Sequence, residues 1–178
     1  KPKVTSVFAS MGTFVHGDKT QGEDHSVCIV RFENNAMAVL ENSWAKTGGI
    51  DDRCEILGSK GNTKADLIQG NALVTHSQSG YGYAVEKAGT TQGWTFTGFE
   101  EEWNYGFPQE VQHFVNVVLG KEEPIETGAD GMEVLKIIYA AYQSAGEGRE
   151  IFFPYEPPKN LAKPIDLWLN GNGKQNRA

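Results

Sequence analysis

The richest stretch for chemistry is Trp44-Ala45-Lys46-Thr47-Gly48-Gly49-Ile50-Asp51-Asp52-Arg53. It brings together an indole, an ammonium, two adjacent carboxylates and a guanidinium, with a glycine pair between them. Such a set can hold a polyol: carboxylates accept from vicinal hydroxyls, Lys46 donates, and the indole stacks on C–H faces. If the chain re-enters as a strand, period two puts Asp51, Arg53 and Glu55 on one face and Asp52, Cys54 and Ile56 on the other. The same residues can also form an Arg–Glu and Lys–Asp surface network on a sheet, so both readings stand at this point.

A second cluster is Phe99-Glu100-Glu101-Glu102-Trp103-Asn104-Tyr105-Gly106-Phe107-Pro108-Gln109-Glu110-Val111-Gln112-His113. Trp103 and Tyr105 are aromatics with polar tips placed just before a helix, and His113 falls on the polar side of that helix. The alternative is that Trp103 and Phe107 staple the helix entry to a sheet and His113 is a surface residue.

Other chemistries find little support. Gly80-Tyr81-Gly82-Tyr83 lacks the third glycine of a dinucleotide fingerprint, and Gly58-Ser59-Lys60-Gly61 lacks the ending of a phosphate loop. None of the histidines (16, 25, 76 and 113) has metal-ligand spacing to another. His16-x-Asp18 and Glu23-Asp24-His25 can gather a cation, but loop charges are usually just solvated. No metal site is expected. There is no G-x-S-x-G elbow, and neither Cys28 nor Cys54 has activating neighbours.

The elements that must position these residues are mostly strands. Segments 4–15, 25–33, 36–46, 52–58, 62–68 and 71–77 read as strands with connections too short for crossovers, hence antiparallel. Glu33-Asn34-Asn35 predicts a hairpin turn. Residues 79–98 read as short strands or a long excursion. The period then changes. Val111, Phe114, Val115, Val118 and Leu119 form a helical stripe expected to point inward, ended by Gly120. Thr127 with Asp130 predicts a capped start to a second helix, covered on more than one side and stopped by Gly146 and Gly148. Residues 149–153 make a last strand. The expected fold is α+β: a largely antiparallel open sheet with two helices on one face, residues 1–153 forming one domain. Residues 154–178 are expected to be a proline-rich arm and polar tail.

The chain has 178 residues, a net charge of -7 and 39% apolar residues. The acidic balance argues against a nucleic-acid footprint and against a basic membrane patch. It suits a cytoplasmic protein handling small neutral ligands. The opening Lys1-Pro2-Lys3-Val4 has no initiator Met and reads as part of a longer protein.

Taken together, several segments resemble one family. They are Trp44-Ala45-Lys46-x-Gly48-Gly49-x-Asp51-Asp52-Arg53-x-Glu55-x-x-Gly58-x-x-Gly61, the run Trp103 to Glu110, Glu126-Thr127-Gly128-Ala129-Asp130-Gly131, Ala140-Ala141-Tyr142-x-Ser144-Ala145-x-x-Gly148, and Lys163-Pro164-Ile165-Asp166-Leu167-Trp168. Their order and spacing are similar to the C-terminal domain of the Gfo/Idh/MocA oxidoreductases, over about residues 4–169. The resemblance implies a substrate and oligomerisation domain, whose partner Rossmann domain binds NAD or NADP. It implies hydride transfer to or from a sugar or cyclitol, and a homo-oligomer formed through the open sheet face, with the arm reaching across.

The resemblance carries over no catalytic or cofactor-binding residue. The family's Glu-Lys-Pro lysine and its Asp and His belong upstream, and Lys163-Pro164 follows Ala162 instead of Glu. The fragment alone is expected to be inactive. The positions it does carry over are substrate-binding ones: Lys46, Asp51, Asp52, Arg53, Trp103, Tyr105 and His113. The alternative is a non-catalytic dimerisation or binding module of the same fold. A free-standing carbohydrate-binding protein is a third reading.

Overall fold

The computed structural model describes residues 1–47, 50–67, 73–82, 90–97, 101–161, 163–171 and 173. The expected break at Gly48-Gly49 and the tail at 174–178 lie outside them. The chain forms two compact units: Lys1–Lys46 with Glu126–Ala178, and Thr47–Ile125.

The first unit is built on a four-stranded antiparallel sheet. Strands β1 (Val4–Gly12), β2 (His25–Phe32) and β3 (Met37–Ser43) form a meander, and β8 (Ile151–Phe152) joins the free edge of β1, giving the order β3-β2-β1-β8. The β2–β3 hairpin turns where expected, with Asn35 at φ 63, in the left-handed region that Asn tolerates. Register then decides which side chains share a face. Ala9 lies opposite Cys28 and Val7 opposite Val30, so Val7, Ala9, Met11, Cys28 and Val30 form one buried face. Phe8, Val27, Met37 and Val39 lie on the other face and are exposed.

Helix α3 (Gly128–Glu147) packs on the buried face against β1 and β8. Its start is the capping box read from Thr127 and Asp130: Asp130 N–H donates to Thr127 Oγ1 at 3.3 Å, and Thr127 N–H donates to Asp130 Oδ2 at 2.9 Å. Its end is Gly148 at φ 68. Small residues Ala140, Ser144 and Ala145 are buried and let the helix come close to the sheet. Ser144 also joins them: its Oγ accepts from Ala9 N–H at 2.9 Å and donates to the Arg149 carbonyl at 2.7 Å. The expectation of cover on several sides holds for this C-terminal half, whereas Met132, Val134, Leu135 and Ile138 are exposed.

The proline-rich stretch is not extended throughout. It contains helix α4 (Ile165–Leu169), which packs on α3 and buries Trp168 completely. Glycine makes this possible. A Cβ on Gly146 would collide with the Leu167 carbonyl and with Trp168 Cα, and one on Gly171 would collide with the Gly146 carbonyl.

The second unit holds two separate ribbons, β4 (Arg53–Gly58) with β5 (Gly61–Asp66), and β6 (Leu73–Ser77) with β7 (Gly93–Thr97). Two helices follow. The four-residue α1 (Glu101–Asn104) was not foreseen from the sequence, and α2 (Phe107–Val118) begins at Gly106 and Pro108. The expected inward stripe of α2 is contradicted: Val111, Phe114, Val115, Val118 and Leu119 are all exposed, Phe114 at 69%. The reason is that the polar side of α2 is the side that the following loop closes on, through His113 and Asn116.

Candidate functional site

The sheet-derived candidates fall on the chain where β3 ends and β4 begins. Lys46 is exposed in the loop after β3. In the second unit, Arg53 opens β4, and its guanidinium grips Asp51 as a fork: Nε to Oδ1 at 2.5 Å and Nη2 to Oδ2 at 3.0 Å. The shared face read from period two is therefore real, and it binds Asp51 to Arg53. Glu55 pairs instead with Lys64 on β5, Nζ to Oε1 at 3.2 Å. The Lys64–Glu55 pair is largely exposed and adds little stability, whereas in the Arg53–Asp51 pair the carboxylate is mostly covered. The Asp52 carbonyl accepts Leu67 N–H at 3.1 Å, while its side chain is exposed. Among these groups the Asp52 carboxylate is thus placed to accept from a hydroxyl, and the Arg53–Asp51 fork offers a fixed donor–acceptor edge.

The helix-entry candidates are less alike than the sequence suggested. Trp103 on α1 is exposed. Tyr105 is half-buried and meets the edge of Phe107, with ring centroids 6.4 Å apart at 88°. Phe107 is itself exposed, so the alternative in which Trp103 and Phe107 staple the helix entry finds no support in their burial.

His113 does not stand open. Ile125 N–H donates to its Nε2 at 3.3 Å, so the ring proton sits on Nδ1 and donates to Glu122 Oε2 at 2.6 Å. Asn116 donates to the other Glu122 oxygen at 2.8 Å. Hydrogen bonds first from His113 and then from Asn116 hold the Glu122 carboxyl below its ordinary value. His113 thus keeps 26% of its side chain exposed while it holds Glu122. Both ring nitrogens tie α2 to the segment after it.

What the sequence missed is a buried carboxylate. In sequence Asp24 looks like a solvated loop charge, yet it is 1% exposed. Its Oδ1 accepts from Phe14 N–H at 2.9 Å, and its Oδ2 accepts from Val15 and His16 N–H at 2.7 and 2.9 Å. Burial pushes this carboxyl up, and the backbone donors Phe14, His16 and Val15 outweigh it and leave it below its ordinary value. The Asp24 carbonyl accepts Trp44 N–H at 3.1 Å and the Ser43 hydroxyl at 3.1 Å. His16 and Trp44, held by this one residue, stack with centroids 4.2 Å apart at 24°. An alternating polar loop gave no hint of it, because every donor is a backbone N–H supplied by the fold.

A nicotinamide dinucleotide needs a place for its pyrophosphate, normally a helix N-terminus with free N–H groups. The long helix does not fit. Its N-terminus is filled by its own Asp130, held at about 2 first by the Thr127 hydroxyl and then by Lys1. Helix α2 carries Glu110 in its first turn. Among the described residues no group of His, Cys, Asp and Glu is gathered as metal ligands would be, and no helix is long and apolar enough to cross a membrane.

An antiparallel α+β domain with a helix laid on one sheet face is the class this geometry defines. The model of an oxidoreductase family's C-terminal alpha/beta domain, Gfo/Idh/MocA, matches residues 1–153. The chain belongs to that family. It is 29% identical over 151 residues to the myo-inositol 2-dehydrogenase of Thermotoga maritima, covering 84% of this chain and 42% of the relative. It is 30% identical over 151 residues, with the same coverage, to a Bacillus subtilis protein named uncharacterized oxidoreductase YrbE. Among solved structures, GenD2 from gentamicin A biosynthesis, in complex with NAD, superposes with a TM-score of 0.79 at 28% identity, covering 87% of this chain and 43% of that one. The chain thus spans less than half the length of the relatives it matches.

Proposed function

We propose that this chain is the substrate-binding and oligomerisation domain of a dehydrogenase that uses NAD or NADP to oxidise or reduce a sugar or cyclitol. The observation that carries the reading is the family match over residues 1–153, joined to the likeness to a myo-inositol 2-dehydrogenase. The cofactor is bound mainly by residues outside this chain, in keeping with the filled N-terminus of α3. The chain's own task is to hold and orient a polyol. Lys46 donates to a hydroxyl, Asp52 accepts from one, and the Arg53–Asp51 fork fixes a second donor–acceptor edge. Trp103 and Tyr105 supply aromatic surface with a polar tip. His113 acts indirectly, by fixing the segment after α2.

Oligomerisation uses the outer sheet face, where Phe8, Val27, Met37 and Val39 leave an apolar surface of the kind that subunit contacts cover. Sedimentation tests it: a Val39→Lys variant is expected to shift the protein toward monomer, and an unchanged oligomer rules this face out.

The polyol site is tested in the full-length protein. Lys46→Ala and Asp52→Ala are each expected to lower kcat/KM for the preferred polyol about tenfold or more, as loss of a hydrogen bond in a closed site does. Unchanged kcat/KM in both removes these residues from the site. Calorimetry on the 178-residue chain is expected to find no NAD binding, and tight binding would overturn the division of labour.

A further inference from the structure

We propose that the stacked rings of His16 and Trp44 form a rigid platform for the apolar C–H face of a ring polyol, a cyclitol or a pyranose, with Asp24 as the residue that positions it. The proposal rests on the polyol reading above, which supplies its class of ligand.

The first observation is exposure combined with restraint. One face of the Trp44 indole lies on the imidazole, yet the residue is 55% exposed, so its open area is on the far face and edge. A large exposed aromatic gains nothing for the core by being held still. This one is held three ways. Its Nε1–H donates to the Glu23 carbonyl at 3.0 Å, its backbone N–H donates to the Asp24 carbonyl at 3.1 Å, and its ring rests on His16. Glu23 is fixed in turn by the Tyr142 hydroxyl of α3, which donates to its Oε1 at 2.7 Å.

The second observation is that both halves of the stack are gripped by one buried residue. The Asp24 carboxylate takes the backbone N–H groups of residues 14–16, including that of His16 itself. The Asp24 carbonyl takes the segment that bears Trp44. The two rings are therefore set mainly by backbone bonds to Asp24, with the indole N–H and a Lys19 contact at His16 Nδ1 added at the side chains.

The chemistry that fits such a surface is specific. The electron-rich face of an indole attracts the weakly positive C–H groups that line one side of a polyhydroxylated ring, while the hydroxyls point outward to donors and acceptors. Lys19 stands at the edge of the pair, Nζ 3.5 Å from His16 Nδ1, where an ammonium can meet a hydroxyl. Because the platform is set before the ligand arrives, little ordering cost falls on binding.

Nitrogen-15 NMR of the 178-residue chain tests this directly. The four indole N–H signals belong to Trp44, Trp94, Trp103 and Trp168, and single Trp→Phe substitutions assign them. Titrating myo-inositol is expected to move the Trp44 signal saturably, and the linear hexitol sorbitol to move it far less, since an open chain has no ring face. His16→Ala, which leaves Asp24 and its bonds in place, is expected to weaken myo-inositol binding about two- to tenfold, the equivalent of a lost aromatic contact. Asp24→Asn is expected to do the same by loosening the segment that bears His16, because an amide nitrogen cannot accept from the N–H groups that the carboxylate holds.

If sorbitol and myo-inositol move Trp44 equally, or if nicotinamide moves it and myo-inositol does not, the platform is overturned. If the Lys46 or Asp52 amide responds to myo-inositol while Trp44 stays still, the platform falls and the polyol reading survives. If no signal moves with any ring polyol, both fall.

Discussion

Two histidine–tryptophan pairs occupy the two units, and their construction differs. His16 and Trp44 lie nearly parallel, fixed by hydrogen bonds that they donate to Asp24 and Glu23 across up to 21 residues of sequence. His76 and Trp94 are cross-strand neighbours on the β6–β7 ribbon, tilted at 58° with centroids 5.0 Å apart, and Trp94 is 70% exposed. The first pair is placed by tertiary structure. The second is placed by a ladder alone. The same contrast runs through the units that hold them. The first has a sheet face closed by α3 and α4, while every residue of the β4 strand is exposed. A two-stranded ribbon without a covered face is marginal by itself. Restraint in this chain therefore follows long-range contacts and not residue type.

That contrast can be broken most forcefully at Trp168. Removing a fully buried indole by Trp168→Ala is expected to cost about 3–5 kcal/mol, read as a fall in Tm. Hydrogen exchange should accelerate in β1 and β2, with the β4–β7 amides little changed. Equal acceleration in both units would mean they unfold as one body, and the contrast would be lost. Next comes Gly146→Ala, where the new methyl meets the backbone of α4. Overpacking of this kind is expected to cost about 1–3 kcal/mol, and a neutral result would show that α4 can move away freely.

Thr127→Ala removes the cap of α3 and is expected to cost about 1 kcal/mol. It also sharpens the pH behaviour. Asp130 titrates at about 2 in the folded chain, below its ordinary 3.8. Its stabilising effect is thus complete above the ordinary value and lost as pH falls toward 2. The lowered carboxyl of Asp24 gives the same sign, with stability lost as pH falls below the ordinary carboxylate value. Circular dichroism between pH 5 and pH 2 should show the helical signal of the variant failing earlier than that of the wild type. Coincident curves would remove the cap from the account.

The smallest effect belongs to the exposed pair. Trp94→Ala is expected to cost only about 0.2–1 kcal/mol, the worth of a cross-strand pair. A loss as large as that of Trp168→Ala would show that the ribbon is covered after all.

The features legible in the sequence were those with local causes. The Asn34-Asn35 turn follows from local backbone preference, the Thr127–Asp130 capping box from reciprocal bonds within three residues, and the shared face of Asp51 and Arg53 from period two in an extended chain. The α2 stripe misled because periodicity says which residues share a side and not which side is covered. His113 and Asn116 close on Glu122, and that decided it. Asp24 was illegible because a carboxylate in a polar loop looks the same whether solvated or gripped by backbone donors. Helix α4 was hidden because its stability comes from the close approach of Gly146 and Gly171, which no window around the prolines reveals.

By itself, then, the sequence determined most of the strands and the two long helices, the antiparallel α+β class, the family, and the residues that share a strand face. These depend on backbone preference and on side-chain period, which act over a few residues. Only the tertiary structure decided which faces are buried, that His113 and Asn116 close on Glu122, and that His16 and Trp44 meet. Those outcomes depend on groups brought together from distant positions, where burial and the need to pair every buried polar atom select one arrangement among many that the sequence allows.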